Sequence, residues 1–143
     1  GAVRRCGIGG LVRRLFETPG GPGKSAANAV PRELSMERAV FVYTTFPSVV
    51  EAERAGRVLV ERRLCACVNI LPGMVSLYWW QGAIERGEEA VMIIKTRASL
   101  AEAVRGAVKE MHSYTTPAIL VIPLESVDPD YHAWIVHETE GTK

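Results

Sequence analysis

A chain of 143 residues with 48% hydrophobic and 23% charged residues carries enough apolar mass for one globular core and too little charge for a disordered polymer. No apolar run approaches the ~20 residues of a membrane-spanning helix, and no charged-then-apolar stretch with a small-residue cleavage site marks a secretory signal. The net charge of +1 hides an asymmetry: residues 1–35 hold six Lys or Arg against two Glu, and residues 36–143 hold eleven against fourteen, so the longer, net acidic segment offers no basic surface for nucleic acid.

Residues 1–35 hold seven of the thirteen glycines and the run Thr18-Pro-Gly-Gly-Pro-Gly-Lys-Ser25, without sustained periodicity, which predicts a disordered extension. Met36 then stands as a candidate native start, and residues 36–143 are expected to form the single domain. An Arg-rich targeting peptide is the competing reading of the extension, against which its low serine and high glycine content weigh. Gly23-Lys24-Ser25 evokes a phosphate-binding loop, but Thr18 occupies the place of the motif's first glycine and no strand precedes it. Cys6, Cys65 and Cys67 make an odd count, with the last two one residue apart, so a disulfide framework is not expected. Reduced thiols and a cytoplasmic protein are.

In chain order, Val40–Thr44 is rich in strand formers, and Pro47-Ser48 supplies a turn and an N-cap. A helix over about 48–64 follows, with Val49, Ala52, Ala55, Val58 and Leu59 on one side and the i,i+4 pairs Glu53/Arg57 and Arg57/Glu61 on the other. Next comes one long β-hairpin, from Arg63 through Tyr78-Trp-Trp-Gln-Gly82 to Thr96. Each arm could reach ~50 Å at ~3.3 Å per residue, whereas the helix spans roughly 25 Å. Half the hairpin must therefore project, carrying Leu77, Tyr78, Trp79 and Trp80 as apolar surface that other copies of the chain are expected to cover. Pro72-Gly73 predicts a bulge along the way.

The spacing of Leu100, Val104, Ala107, Val108 and Met111 predicts a second helix from an N-cap at Ser99 to His112. Ala118–Ile122 is wholly apolar and closed by Pro123, which predicts a strand buried on both faces or in mid-sheet. Asp128-Pro129 opens a last helix with Tyr131, Trp134 and Ile135 inward. The order is that of the split βαβ, a ferredoxin-like α+β fold: an antiparallel sheet with helices on one face, a long β2-β3 hairpin and a C-terminal helix.

Residues able to carry chemistry are few. Cys65 and Cys67 at strand spacing would face one way and could meet a soft metal ion, but small thiols packed under a helix account for them equally. His132 and His137 lie too far round a helix to share a metal and are expected at the surface. His112 ends a helix, where the dipole favours it, and opens the polar loop His112–Pro117, a usual place for a cleft. Lys95 closes an apolar strand as a candidate partner for an anion, and consecutive Tyr78, Trp79 and Trp80 alternate faces, which suits subunit contact better than stacking of one ligand. No nucleophile stands beside a base and no acid pair is evident, so the expectation is not an enzyme. An RNA-recognition module is disfavoured because Val91–Lys95 presents no aromatic side chain.

Taken together, Leu64–Leu71, Ser76–Gly82, Glu89–Thr96, His112 with Tyr114 and Pro117, and Tyr131–Trp134 resemble the CutA divalent-cation tolerance family over about residues 38–137. The resemblance implies a ferredoxin-like subunit assembled as a homotrimer through its hairpins, an architecture shared with P-II-type signalling proteins. It also implies a link to copper or another divalent metal, with no cofactor firmly attached. Cys67 and His112 fall at the family's cysteine and histidine positions and become the metal candidates. Trp80, Lys95 and Tyr114 are the candidates for a ligand cleft, and Leu77, Tyr78, Trp79 and Trp80 for the trimer interface. Ser113 and Ala118 replace a proline and a glutamate usual in the family's loop, and Thr44 replaces a cysteine of some members. The alternative function is a P-II-like sensor whose inter-subunit cleft binds a small anion.

Overall fold

Alternate side chains of β1 (Ala39–Phe46) point to opposite faces, and the even-numbered set, including Val42 and Phe46, is fully buried. The computed structural model describes residues 37–141, so the expectations for the glycine-rich extension and its Gly23-Lys24-Ser25 run lie outside the described residues. Ser48 has extended backbone and its Oγ accepts from the Glu51 N–H, which starts α1 (Val49–Glu61). That helix ends before the expected Leu64 because Arg63 takes a left-handed φ of 59° and Leu64 donates back to the Leu59 carbonyl. Ala52, Ala55, Gly56 and Leu59 form its buried side.

β2 (Cys67–Trp80) and β3 (Ala83–Arg97) form the long hairpin. Its tip is the two-residue turn Gln81-Gly82, with φ of 48° and 81°, the doubly positive pair that matches strand twist. The register runs from Trp80↔Ala83 to Cys67↔Lys95 and slips between Leu71 and Met74, where Pro72-Gly73 was expected to bulge. Only from Ala90 inward does β3 also pair with β1, so among the described residues Ala83 to Glu89 have β2 as their one strand neighbour, an arm of ~23 Å. Leu77 and Trp79 on this arm are 70% and 73% exposed.

A short 3-10 turn (Ala98–Leu100) leads into α2 (Ala101–Met111). Ser99 does not cap it as expected; its Oγ donates to Glu37 Oε2 and Leu100 is the N-cap residue, with no side-chain bond. β4 (Ile119–Pro123) pairs with the free side of β1, and the antiparallel sheet has the order β2-β3-β1-β4. β4 is thus an edge strand and not the buried strand its composition predicts. Val121 packs on the helical core, whereas Leu120 and Ile122 on the other face are 51% and 45% exposed. A uniformly apolar run does not by itself fix the place of a strand in the sheet.

The main core joins Val42, Phe46, Met92 and Ile94 of the sheet to α1 and to Val104, Ala107 and Val108 of α2. α3 (Pro129–Glu138) does not join this layer: Trp134 and Ile135 pack with Ala39 and Cys67 on the opposite face. Helices therefore cover both faces at one end of the sheet, and the expectation of a single helical face holds only for α1 and α2. His132, expected at the surface, is half-buried with Nε2 2.6 Å from the Glu37 carbonyl. His137 is exposed.

Candidate functional site

The chain leaving α2 turns extended at His112 (φ −86°, ψ 138°), and the imidazole stacks on Phe46 with centroids 4.4 Å apart and planes 15° from parallel. Its Nε2 lies 2.6 Å from the Thr45 carbonyl, and its Nδ1 accepts the Tyr114 N–H at 3.1 Å. A carbonyl only accepts and an amide N–H only donates, so Nε2 carries the proton and the ring is the neutral tautomer. Both nitrogens are engaged. Ser113 adds a backbone N–H bond to Glu51 Oε1, tying the loop to α1.

This loop delivers Tyr114 to Glu89, whose Oε2 accepts from the Tyr114 hydroxyl at 3.3 Å and from Thr45 Oγ1 at 2.9 Å, while Oε1 accepts from Ser76 Oγ at 3.0 Å. Three hydroxyls from three segments orient one half-buried carboxylate. Desolvation, and then the charge of Glu89, push the Tyr114 phenol above its ordinary ionisation range. Tyr114 and Glu89 form one wall of a cleft of about 640 Å³, whose other lining residues include Tyr78, Trp80, Glu85 and Glu88 of the arm. Among the described residues no Lys, Arg or His lines it; the nearest ion pair is Arg86 with Glu88 at 3.3 Å.

Of the residues expected in a cleft, Trp80 and Tyr114 meet here and Lys95 does not. Lys95 Nζ is 3.2 Å from the Tyr131 hydroxyl and 5.4 Å from that ring's centroid, beside α3. Cys67 is its partner in register. The two metal candidates are likewise apart: Cys67 stands level with Phe41 of β1 and His112 at Thr45, four residues or ~13 Å along the strand. Cys67 packs with α3, and His112 stacks on Phe46 of the opposite core.

Cys65 precedes the strand, so the expected shared face with Cys67 is corrected: Cys65 belongs to the α1/α2 core and Cys67 to the α3 cluster. Burial pushes the Cys65 thiol up to about 12, and the Cys67 Sγ makes a weak contact with the Val68 carbonyl at 3.7 Å. Neither is in a disulfide. Among the described residues no three His, Cys, Asp or Glu side chains converge as a metal cluster. Leu77 and Trp79 point to one face of the arm, Tyr78 and Trp80 to the other, where they border the cleft.

Sequence reasoning missed Glu89. The available signal was an acid placed two residues before Val91 at strand spacing, hence on one face with it, which predicts an inward carboxylate in need of partners.

A family model described as CutA1 divalent ion tolerance protein matches residues 40–138. Divalent-cation tolerance protein CutA of Archaeoglobus fulgidus is 48% identical over 100 residues, covering 70% of this chain and 97% of that protein. A solved structure from that organism, described as the periplasmic divalent cation tolerance protein CutA, superposes with a TM-score of 0.69 at 47% identity, over 71% of this chain and 99% of its own. The rice protein CutA 1, described as chloroplastic, is 33% identical over 90% of this chain and 68% of its own length. Among the described residues no helix is long and apolar enough to cross a membrane.

Proposed function

The chain belongs to the CutA1 divalent ion tolerance family, and from that membership we propose a non-enzymatic protein of divalent-cation tolerance, copper included, that works as a homotrimer of ferredoxin-like subunits. The observation that carries the assembly is the uncovered arm, with Leu77, Trp79 and Ile84 exposed on one face. The exposed Leu120 and Ile122 of edge strand β4 supply a second uncovered surface of the same kind. In this reading Leu77 and Trp79 are the main interface contacts. Tyr78 and Trp80 serve both the interface and the cleft.

For copper, Cys67 is the stronger candidate, because a thiolate is a soft donor. The thiols of Cys65 and Cys67, outside any disulfide, support a cytoplasmic location. A P-II-like anion sensor is the weaker reading, since the cleft walls carry Glu85 and Glu89 and Lys95 lies with Tyr131.

The test is growth under copper of cells lacking the protein. Expression of the wild type should restore tolerance and Trp79→Glu should not; tolerance indifferent to expression overturns the reading. Copper titration of the purified assembly should weaken with Cys67→Ser, and unchanged affinity in both Cys67→Ser and His112→Asn removes the proposed metal ligands.

A further inference from the structure

The cleft beside the arm has a chemistry that a bare metal ion does not use. Its volume of about 640 Å³ lies in the range of sites for small organic ligands and far exceeds that of a dehydrated cation. Its walls combine three aromatic rings, Tyr78, Trp80 and Tyr114, with the carboxylates of Glu85 and Glu89, which share one face of the arm. Among the described residues no cationic side chain lines it, and the Arg86–Glu88 pair lies on the other face of the arm. An anion entering the cleft would meet like charge.

We propose that this cleft binds an organic ammonium ion, with the cationic head against the aromatic rings and within the field of the carboxylates. Two observations separate this ligand from a metal. First, the carboxylates do not converge into a metal-holding group among the described residues. Second, both oxygens of Glu89 already accept hydroxyl hydrogen bonds from Thr45, Ser76 and Tyr114, so Glu89 acts as a fixed charge and not as an open ligand. A diffuse alkylammonium charge is what a ring face attracts, and it needs no stripped coordination shell. An ammonium N–H, where the ligand has one, would then donate to Glu85, which is exposed on the arm, while the aliphatic body lies along Trp80.

The inference rests on the cation-linked reading of this family member and names a second class of cation for it. The test is calorimetric titration of the purified assembly with putrescine and with tetramethylammonium, using neutral 1,4-butanediol and anionic glutarate as controls. Both cations should bind saturably, the controls should not, and Trp80→Leu and Glu85→Gln should each weaken cation binding about tenfold; both side chains are exposed in the single subunit, and light scattering of each variant should match the wild-type assembly. Absence of heat with both cations, equal binding in the two variants, or tighter binding of glutarate overturns the proposal. Copper binding measured on the same sample keeps the two ideas apart: copper bound without ammonium sinks this inference alone. Ammonium bound without copper upholds it and counts against the copper reading.

Discussion

The Nε2–H of His112 donates to the Thr45 carbonyl across 2.6 Å, and the residue bearing that carbonyl also donates its Oγ1 to Glu89. One residue of β1 therefore connects the end of α2 to the wall of the cleft. Tyr114, held by its N–H on His112 and by its hydroxyl on Glu89, closes the same circuit.

His112→Ala removes two hydrogen bonds and a stacked ring, and is expected to cost about 2–3 kcal/mol in chemical denaturation. The neutral tautomer is checked separately by nitrogen-15 NMR of the imidazole. Nδ1 should resonate as the unprotonated nitrogen, and a protonated Nδ1 would contradict the assigned geometry.

Glu89→Gln keeps the shape but removes the charge that orients three hydroxyls, for an expected loss of about 1–2 kcal/mol. Because Glu89 helps raise the Tyr114 phenol, its ultraviolet titration should move down in the variant. The linkage has a definite sign. A phenol raised on folding is protonated more readily in the folded state, so its contribution is intact below the unfolded value near 10 and is lost as pH climbs above it.

Cys65 should resist iodoacetamide under native conditions and react only as the protein opens, since its thiol is buried and pushed up to about 12. Stability tied to this thiol is present below the unfolded value of 9.0 and declines as pH rises from there towards 12. Rapid native-state labelling of Cys65, read by mass spectrometry of peptides, would contradict its place in the core.

Gly56 lies where α1 crosses β2, and a Cβ there would sit 2.8 Å from Val68 Cγ2 and 3.3 Å from Met92 Sδ. The helix-propensity gain of Gly56→Ala, about 1 kcal/mol, opposes an overpacking cost of about 1–3 kcal/mol. A net loss of about 1 kcal/mol is expected. Adding Val68→Ala should remove the overpacking term, so a double-mutant cycle with strictly additive losses would place the contact elsewhere.

Trp79→Glu places a charge on the exposed face of the arm, and light scattering of the variant should show smaller particles than the wild type while circular dichroism is unchanged. A wild type that is monomeric at micromolar protein would remove the basis for assembly through the arm.

Periodicity and local chemistry were enough to determine the elements of this protein: a cap at Ser48, a hairpin too long for its helix, a bulge at Pro72-Gly73 and a proline-started last helix. These depend on neighbours within a few residues, or on strand length alone, and a linear sequence displays both. The tertiary structure decided what long-range geometry controls. It put β4 at the edge, with Leu120 and Ile122 uncovered; it sent α3 to the opposite face and placed Cys65 and Cys67 in different clusters. Trp80 and Tyr114, 34 residues apart in sequence, meet only because the α2 exit folds back onto the arm, while Lys95 is drawn to Tyr131. Glu89 shows why the site was the harder part to read. Its role comes from hydroxyls at positions 45, 76 and 114, and no local pattern links those positions until the sheet brings them within hydrogen-bonding distance of one carboxylate.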